Sequence, residues 1–176
     1  MGFLLFSGAT PLHAEAPEAP IQRRYPITLT AYNAVAAQTD GSPLETASGA
    51  YSNPEIVAAR SHNLADELPF GTIIEIDGSI ASKDTCGYNV VAPLIGYRVI
   101  ADTMHARYID RVDVLLSEKA EYATTDKGMK NAAEVLGICS GVTVHVVGYV
   151  DIHRIPKTQA ALTALVNGAT KELALK

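Results

Sequence analysis

Short β-branched runs separated by turn residues recur along most of this 176-residue chain, and they restrict it to a compact fold built mainly of strands. The clearest run is PITLTAYNA (26–34), where Ile27, Leu29 and Ala31 alternate with Thr28, Thr30 and Tyr32. That period of two is the mark of a half-buried strand. EIVAAR (55–60), GTIIEIDG (71–78), GYNVV (87–91), YRVIAD (97–102), RVDVLL (111–116) and GVTVHVVGYVDI (141–152) read the same way. Between them lie turn formers such as TDGSP (39–43), YSNPE (51–55) and SKDTCG (82–87). Six or seven short strands with unequal loops and one or two helices predict a small β-barrel. The strand–helix alternation of a doubly wound α/β fold is absent.

Two segments read as helices. SEKAEYATTDKGMKNAAEVL (117–136) has Ser117 as a cap, Glu118 and Glu121 in its first turn and Gly137 at its end, with Gly128 able to split it. The tail, 153–176, places Leu162, Leu165, Val166, Ala169 and Leu173 at helical spacing, a stripe suited to packing on the body of the domain. Its polar face is not strongly basic, so membrane-surface binding is the lesser reading. The barrel itself is expected over 25–152.

Residues 1–24 open with MGFLLFSGATPLHA, mostly apolar or small, followed by an acidic Pro/Ala-rich linker. This reads as the remnant of an export signal or, because no positively charged segment precedes it, as a short apolar cap. Export is the reading adopted. No later run approaches the roughly 18 apolar residues that span a bilayer. Net charge is −5 and no basic cluster exceeds Arg23-Arg24, which argues against nucleic acid as a partner. The two cysteines, Cys86 and Cys139, suit one disulfide in an exported chain; two free thiols are the alternative.

Chemistry centres on YRVIADTMHARYIDRVDVLL (97–116), with Asp102, Asp110 and Asp113 close in sequence. Asp113 lies mid-strand, where Asp is disfavoured, on the face opposite Val112 and Val114. Asp102 ends its strand, and the connection TMHARYI allows both carboxylates to face one cleft. Asp110 belongs to the turn. A purely structural arrangement also stands, with Asp102 capping a loop and Asp113 paired to Arg107 or Arg111 on a solvated face. Asp102, His105 and Asp113 are too loosely spaced to predict a metal site. His145 reads as a packed strand residue, and Ser48 and Ser140 lack a nucleophile signature.

The ordered segments TAYN, QTDGSP, TASG, IVAA, LPFGT, GYRVIADTM and RVDV resemble the three-aspartate (3D) domain, from about Thr28 to Val150. That domain is grouped with the membrane-bound lytic transglycosylase A and RlpA-like families. The resemblance implies a six-stranded double-psi β-barrel with a glycan groove. It also implies a monomeric, exported protein of the periplasm, envelope or medium that needs no cofactor and acts on peptidoglycan glycan strands. In the transglycosylase members an aspartate at the Asp113 position serves as general acid and then base on the β-1,4 bond after N-acetylmuramic acid, supported by one at the Asp102 position. The groove would be lined by Thr30, Tyr32, Asp40, Thr46, Arg60 and Arg107. A non-catalytic barrel that binds wall glycan or a wall protein is the alternative.

The chain departs from the family pattern in two places. Arg60 stands where the family's third aspartate would lie, and an arginine facing the groove would pair with Asp113 or Asp102 and weaken a general acid. Met104, His105, Tyr108 and Ile109 replace small or flexible residues after the Asp-Thr pair, which would reshape the groove.

Overall fold

The computed structural model describes residues 23–35, 42–81, 86–125 and 128–174. The export-signal reading and Asp40 therefore fall on segments outside the described residues.

Six strands close into a barrel. In chain order they are β1 (Arg24–Asn33), β2 (Val57–Arg60), β3 (Thr72–Asp77), β4 (Arg98–Thr103), β5 (Arg111–Leu116) and, last, β8 (Cys139–Tyr149). A separate two-stranded hairpin, β6 (Glu121–Thr124) and β7 (Gly128–Asn131), lies between β5 and β8. The order around the barrel is β1-β5-β2-β4-β3-β8. Pairs β1/β5 and β2/β4 run parallel, and the other four contacts are antiparallel. Closure removes the exposed sheet edges that an open six-stranded sheet would present.

The period-two pattern sorts the side chains as the sequence predicts. Ile27, Leu29, Ala58, Ile74, Ile76, Ile100, Val112, Val114, Val142 and Val144 fill the main core. A smaller outer cluster holds Val57, Ala101 and Leu115, with Tyr32 and Ile155 packed against it. The tail forms a helix that, as α3 (Gln159–Ala174), closes the chain. Its Leu162 and Val166 pack on Ile56, Ile73 and Val99, so it rests on the barrel body.

Two element assignments differ from expectation. GYNVV is not a strand: α1 (Tyr88–Ile95) forms there, since Val91 and Ile95, four apart, can both turn to the core. The expected helix over 117–136 is mostly the β6/β7 hairpin, and only α2 (Ala132–Leu136) is helical. Ser117 closes a turn, accepting from the Lys119 and Ala120 amides, instead of capping a helix. The cap is Asn131, whose side chain accepts from the Ala133 amide at 2.9 Å. Gly128, at φ 71, suits the start of a hairpin strand better than a helix interior.

Cys86 and Cys139 form a disulfide across 53 residues, joining the segment before α1 to the start of β8. Arg98 is fully buried, and its guanidinium donates to the carbonyls of Ile95, Pro54 and Leu115 at 2.6, 2.7 and 3.0 Å and to that of Leu94. It thereby ties the end of α1 to the loop before β2 and to β5. Burial pulls its pKa down to about 9, so it remains cationic at neutral pH.

The LPFGT segment turns the chain into β3. Gly71 holds φ 90, donates to Ile100 O at 2.8 Å and accepts from the Val150 amide at 2.9 Å. A Cβ there would sit 2.3 Å from Val150 O. Gly71→Ala should therefore lower unfolding free energy by about 3 kcal/mol or more in a denaturant titration. Reduction of the disulfide should lower it by about 4 kcal/mol, the chain-entropy value for a loop of this length, measured with and without reductant.

Candidate active site

A groove of about 1070 Å³ lies outside the β2, β4 and β5 region, and both candidate aspartates line it. Their alignment follows from register. Ala59 of β2 pairs with Asp113 of antiparallel β5 on one side and with Asp102 of parallel β4 on the other. Ala58 faces the core, so its neighbour Ala59 and the two aspartates beside it face outward. Asp102 reaches this face because the β2/β4 register shifts by one residue: Ala58 pairs with Ile100, whereas Ala59 pairs with Asp102. Regular pairing would have placed Ala101 opposite Ala59 and turned Asp102 toward the core. The methyl side chain of Ala59 leaves the space between the carboxylates open. By ordinary strand spacing their backbones lie about 10 Å apart.

Asp102 is extensively hydrogen-bonded. It accepts from the Tyr32 hydroxyl at 2.8 Å, the Ala47 amide at 2.9 Å and its own neighbour's Thr103 amide at 2.8 Å. These contacts hold the 42–51 loop against the end of β4, aided by the Ser48 amide bonded to Ala101 O. Burial first, and then the charge of Asp102, push the Tyr32 phenol far above its ordinary pKa, so it stays a donor.

Asp113 is differently placed. Thr30, its register partner on β1, donates a hydrogen bond to its carboxyl group. Its Oδ1 is buried without a hydrogen-bond partner. Burial pushes its pKa up from 3.8 to about 6; Thr30 and Arg111 pull against this, and the nearby Asp102 charge adds to it. A carboxyl group in this position can hold a proton in mildly acidic solution and release it near neutrality.

Arg60 lines the groove but does not pair with either aspartate. Its Nε donates to Leu68 O at 3.0 Å and an Nη to Ser61 O at 3.3 Å, and the guanidinium stacks 5.1 Å from the Phe70 ring centroid. The expected weakening of Asp113 by Arg60 is therefore not built. The expected surface pairing of Asp113 with Arg107 or Arg111 is also absent: the one ion pair among the described residues joins Arg154 to Asp151. Arg111 instead lies 4.6 Å from the Tyr108 ring centroid.

Among the other predicted residues, Tyr32 and Arg107 line the groove, and Thr30 reaches it through Asp113. Thr46 is buried and turned away, its hydroxyl sharing bonds with Ser48 Oγ and Ala50 O; it shapes the loop that presents the Ala47 amide. Asp110 sits in the turn at φ 49, held by Asn63 at 2.6 Å. Met104, His105 and Tyr108, three of the residues that depart from the family pattern, line the groove, and so do Glu45, His62 and Phe70, which nothing in their spacing marks. No group of three metal-type ligands occurs among the described residues.

The raised Asp113 pKa has a stability consequence. A carboxyl group whose pKa is higher when folded binds protons more tightly in the native state, so stability falls as pH rises from about 4 to about 6 and then levels. The expected cost at neutral pH is on the order of 2–3 kcal/mol. Asp113→Asn should remove most of that pH dependence and be the more stable protein at pH 7, as read from denaturant midpoints across pH 4–8. Comparison with protein-family models and with curated proteins gives no match for this chain.

Proposed function

We propose that the protein is an exported, lytic-transglycosylase-like enzyme that cleaves the β-1,4 bond between N-acetylmuramic acid and N-acetylglucosamine in peptidoglycan. The observation that carries this reading is Asp113, a half-buried carboxyl group raised to about 6 in a groove of glycan size. In the proposed reaction the Asp113 carboxyl group gives its proton to the glycosidic oxygen, and the bond from that oxygen to the muramic C1 breaks. The sugar's own 6-hydroxyl closes on C1, and its proton passes to the Asp113 carboxylate, which is thereby recharged. Water is not a reactant, so the second carboxylate of an ordinary glycosidase is not needed.

Asp102 suits a supporting role, since its oxygens already serve three donors and fix the loop beside the groove. The closed six-stranded barrel with two parallel pairs supports a double-psi reading of the topology. The disulfide supports export, because cytosolic thiols are kept reduced.

Purified sacculi incubated with the protein should release 1,6-anhydromuropeptides, resolved by mass spectrometry. The rate should fall as pH rises through about 6, as the acid form of Asp113 is lost. Asp113→Asn should cut release by at least a hundredfold while the barrel stays folded. No anhydro product from the wild type between pH 4 and 8 would sink the enzyme reading; retention on insoluble peptidoglycan in that case would point to a binding module.

A further inference from the structure

Besides the two aspartates, the groove carries basic side chains that the proposed proton transfer does not use. His62 follows β2 in a short helical turn, and His105 and Arg107 lie in the loop between β4 and β5; all three are exposed and line the groove. The Arg107 side chain rests against Tyr108. Its Nη2 donates to the Tyr108 hydroxyl at 2.7 Å, and its guanidinium lies 4.8 Å from the Tyr108 ring centroid. Its backbone amide donates to Nδ1 of His105 at 3.2 Å. Nδ1 is thus the acceptor, and the His105 ring proton falls on Nε2, which is free to donate. Among the described residues no carboxylate lies within ion-pair distance of Arg107, His105 or His62. Glu45 is the other acidic residue of the groove besides the two aspartates. The groove therefore carries carboxylates from β4 and β5 and, in the segments that follow β2 and β4, donors without a carboxylate partner among the described residues.

We propose that His62, His105 and Arg107 bind a carboxylate carried by the sugar strand, and so select glycans with an acidic substituent over neutral ones. The inference rests on the glycan reading above and names the part of that glycan the groove distinguishes. A charged substituent drawn to the Arg107 guanidinium and away from the Asp102 carboxylate fixes which way the strand lies. A planar guanidinium pinned on Tyr108 offers parallel N–H donors to a carboxylate with little side-chain entropy left to lose. In peptidoglycan that carboxylate belongs either to the lactyl ether of muramic acid or to the stem peptide. Both share one chemistry, and ligand choice separates them.

The test is calorimetric binding to the full-length Asp113→Asn protein, which leaves the ligands uncut. Three tetrasaccharides of one length serve as probes: chitotetraose, a peptide-free N-acetylglucosamine–N-acetylmuramic acid tetramer, and the same tetramer bearing stem peptides. A carboxylate-bearing ligand should bind about tenfold more tightly than chitotetraose, and the difference should shrink in high salt. Preference already present in the peptide-free tetramer assigns the lactyl carboxylate; preference seen only with peptides assigns the stem. Arg107→Ala should weaken the carboxylate-bearing ligands more than chitotetraose and so bring the three affinities together, and Arg107→Lys should keep part of the preference. His105→Ala supplies a second, independent variant. Equal affinity for all three probes in the parent protein overturns the proposal, as does an Arg107→Ala loss that is the same for every probe. Cleavage without preference would leave the enzyme reading standing and this one fallen; preference without cleavage would do the reverse.

Discussion

The four-residue strand Val57–Arg60 is the constraint on which the groove depends. All four of its residues are buried, and it separates β4 from β5. Because it runs parallel to one and antiparallel to the other, a single position, Ala59, meets an aspartate on each side. A larger side chain at Ala59 would fill the space between the carboxylates, and a β2/β4 pairing without its one-residue shift would turn Asp102 inward. The site is thus a consequence of strand register before it is a consequence of loop conformation. Arg98 secures the same region by donating to carbonyls of α1, of the loop before β2 and of β5, where an uncharged side chain would leave several acceptors unpaired.

Two ionisable groups drawn out of water, Arg98 fully and Asp113 in part, meet different fates for one physical reason. Arg98 keeps its charge because hydrogen bonds to carbonyl groups replace the water it lost. Asp113 lacks equivalent compensation: Thr30 donates to its carboxyl group, but Oδ1 has no partner. Its charged form is accordingly the costlier one, and the protonated form gains ground. Natural chains accept such a loss of stability mainly where the group has work to do, and that places Asp113, more than Asp102, at the centre of the proposed chemistry.

The barrel was legible in the sequence because alternation of Val, Ile and Leu survives whatever the strands pair with. The helix over 117–136 was misread because caps and Glu residues are local signals, whereas the β6/β7 hairpin pairs Tyr122 with Lys130 and Ala123 with Met129. The GYNVV segment failed in the opposite direction: β-branched residues favour a strand until Val91 and Ile95 find a common core face. Asp113 and Asp102 could be singled out as a pair, since Asp is rare mid-strand and at a strand end of that spacing. The behaviour of Arg60 could not be read, because its partners, Leu68 O and the Phe70 ring, are set by how the 61–70 segment folds back. His62 and Phe70 enter the groove through the same fold-back, and no periodicity announces them.

The two aspartates also bear on the form that the proposed glycan cleavage would take. A hydrolase that inverts needs a second carboxylate free to activate water, and one that retains needs it close enough to attack C1. Asp102 is poorly suited to either: both of its oxygens are engaged by Tyr32, Ala47 and Thr103, and recruiting it would loosen the loop it holds. Asp113 has the opposite profile, with an unpaired oxygen and a pKa raised to about 6. One available proton donor and one committed carboxylate favour a reaction in which the substrate supplies its own nucleophile. The 6-hydroxyl of the muramic sugar is such a nucleophile, and its attack asks of the protein only a single proton shuttle and a strand held in one direction.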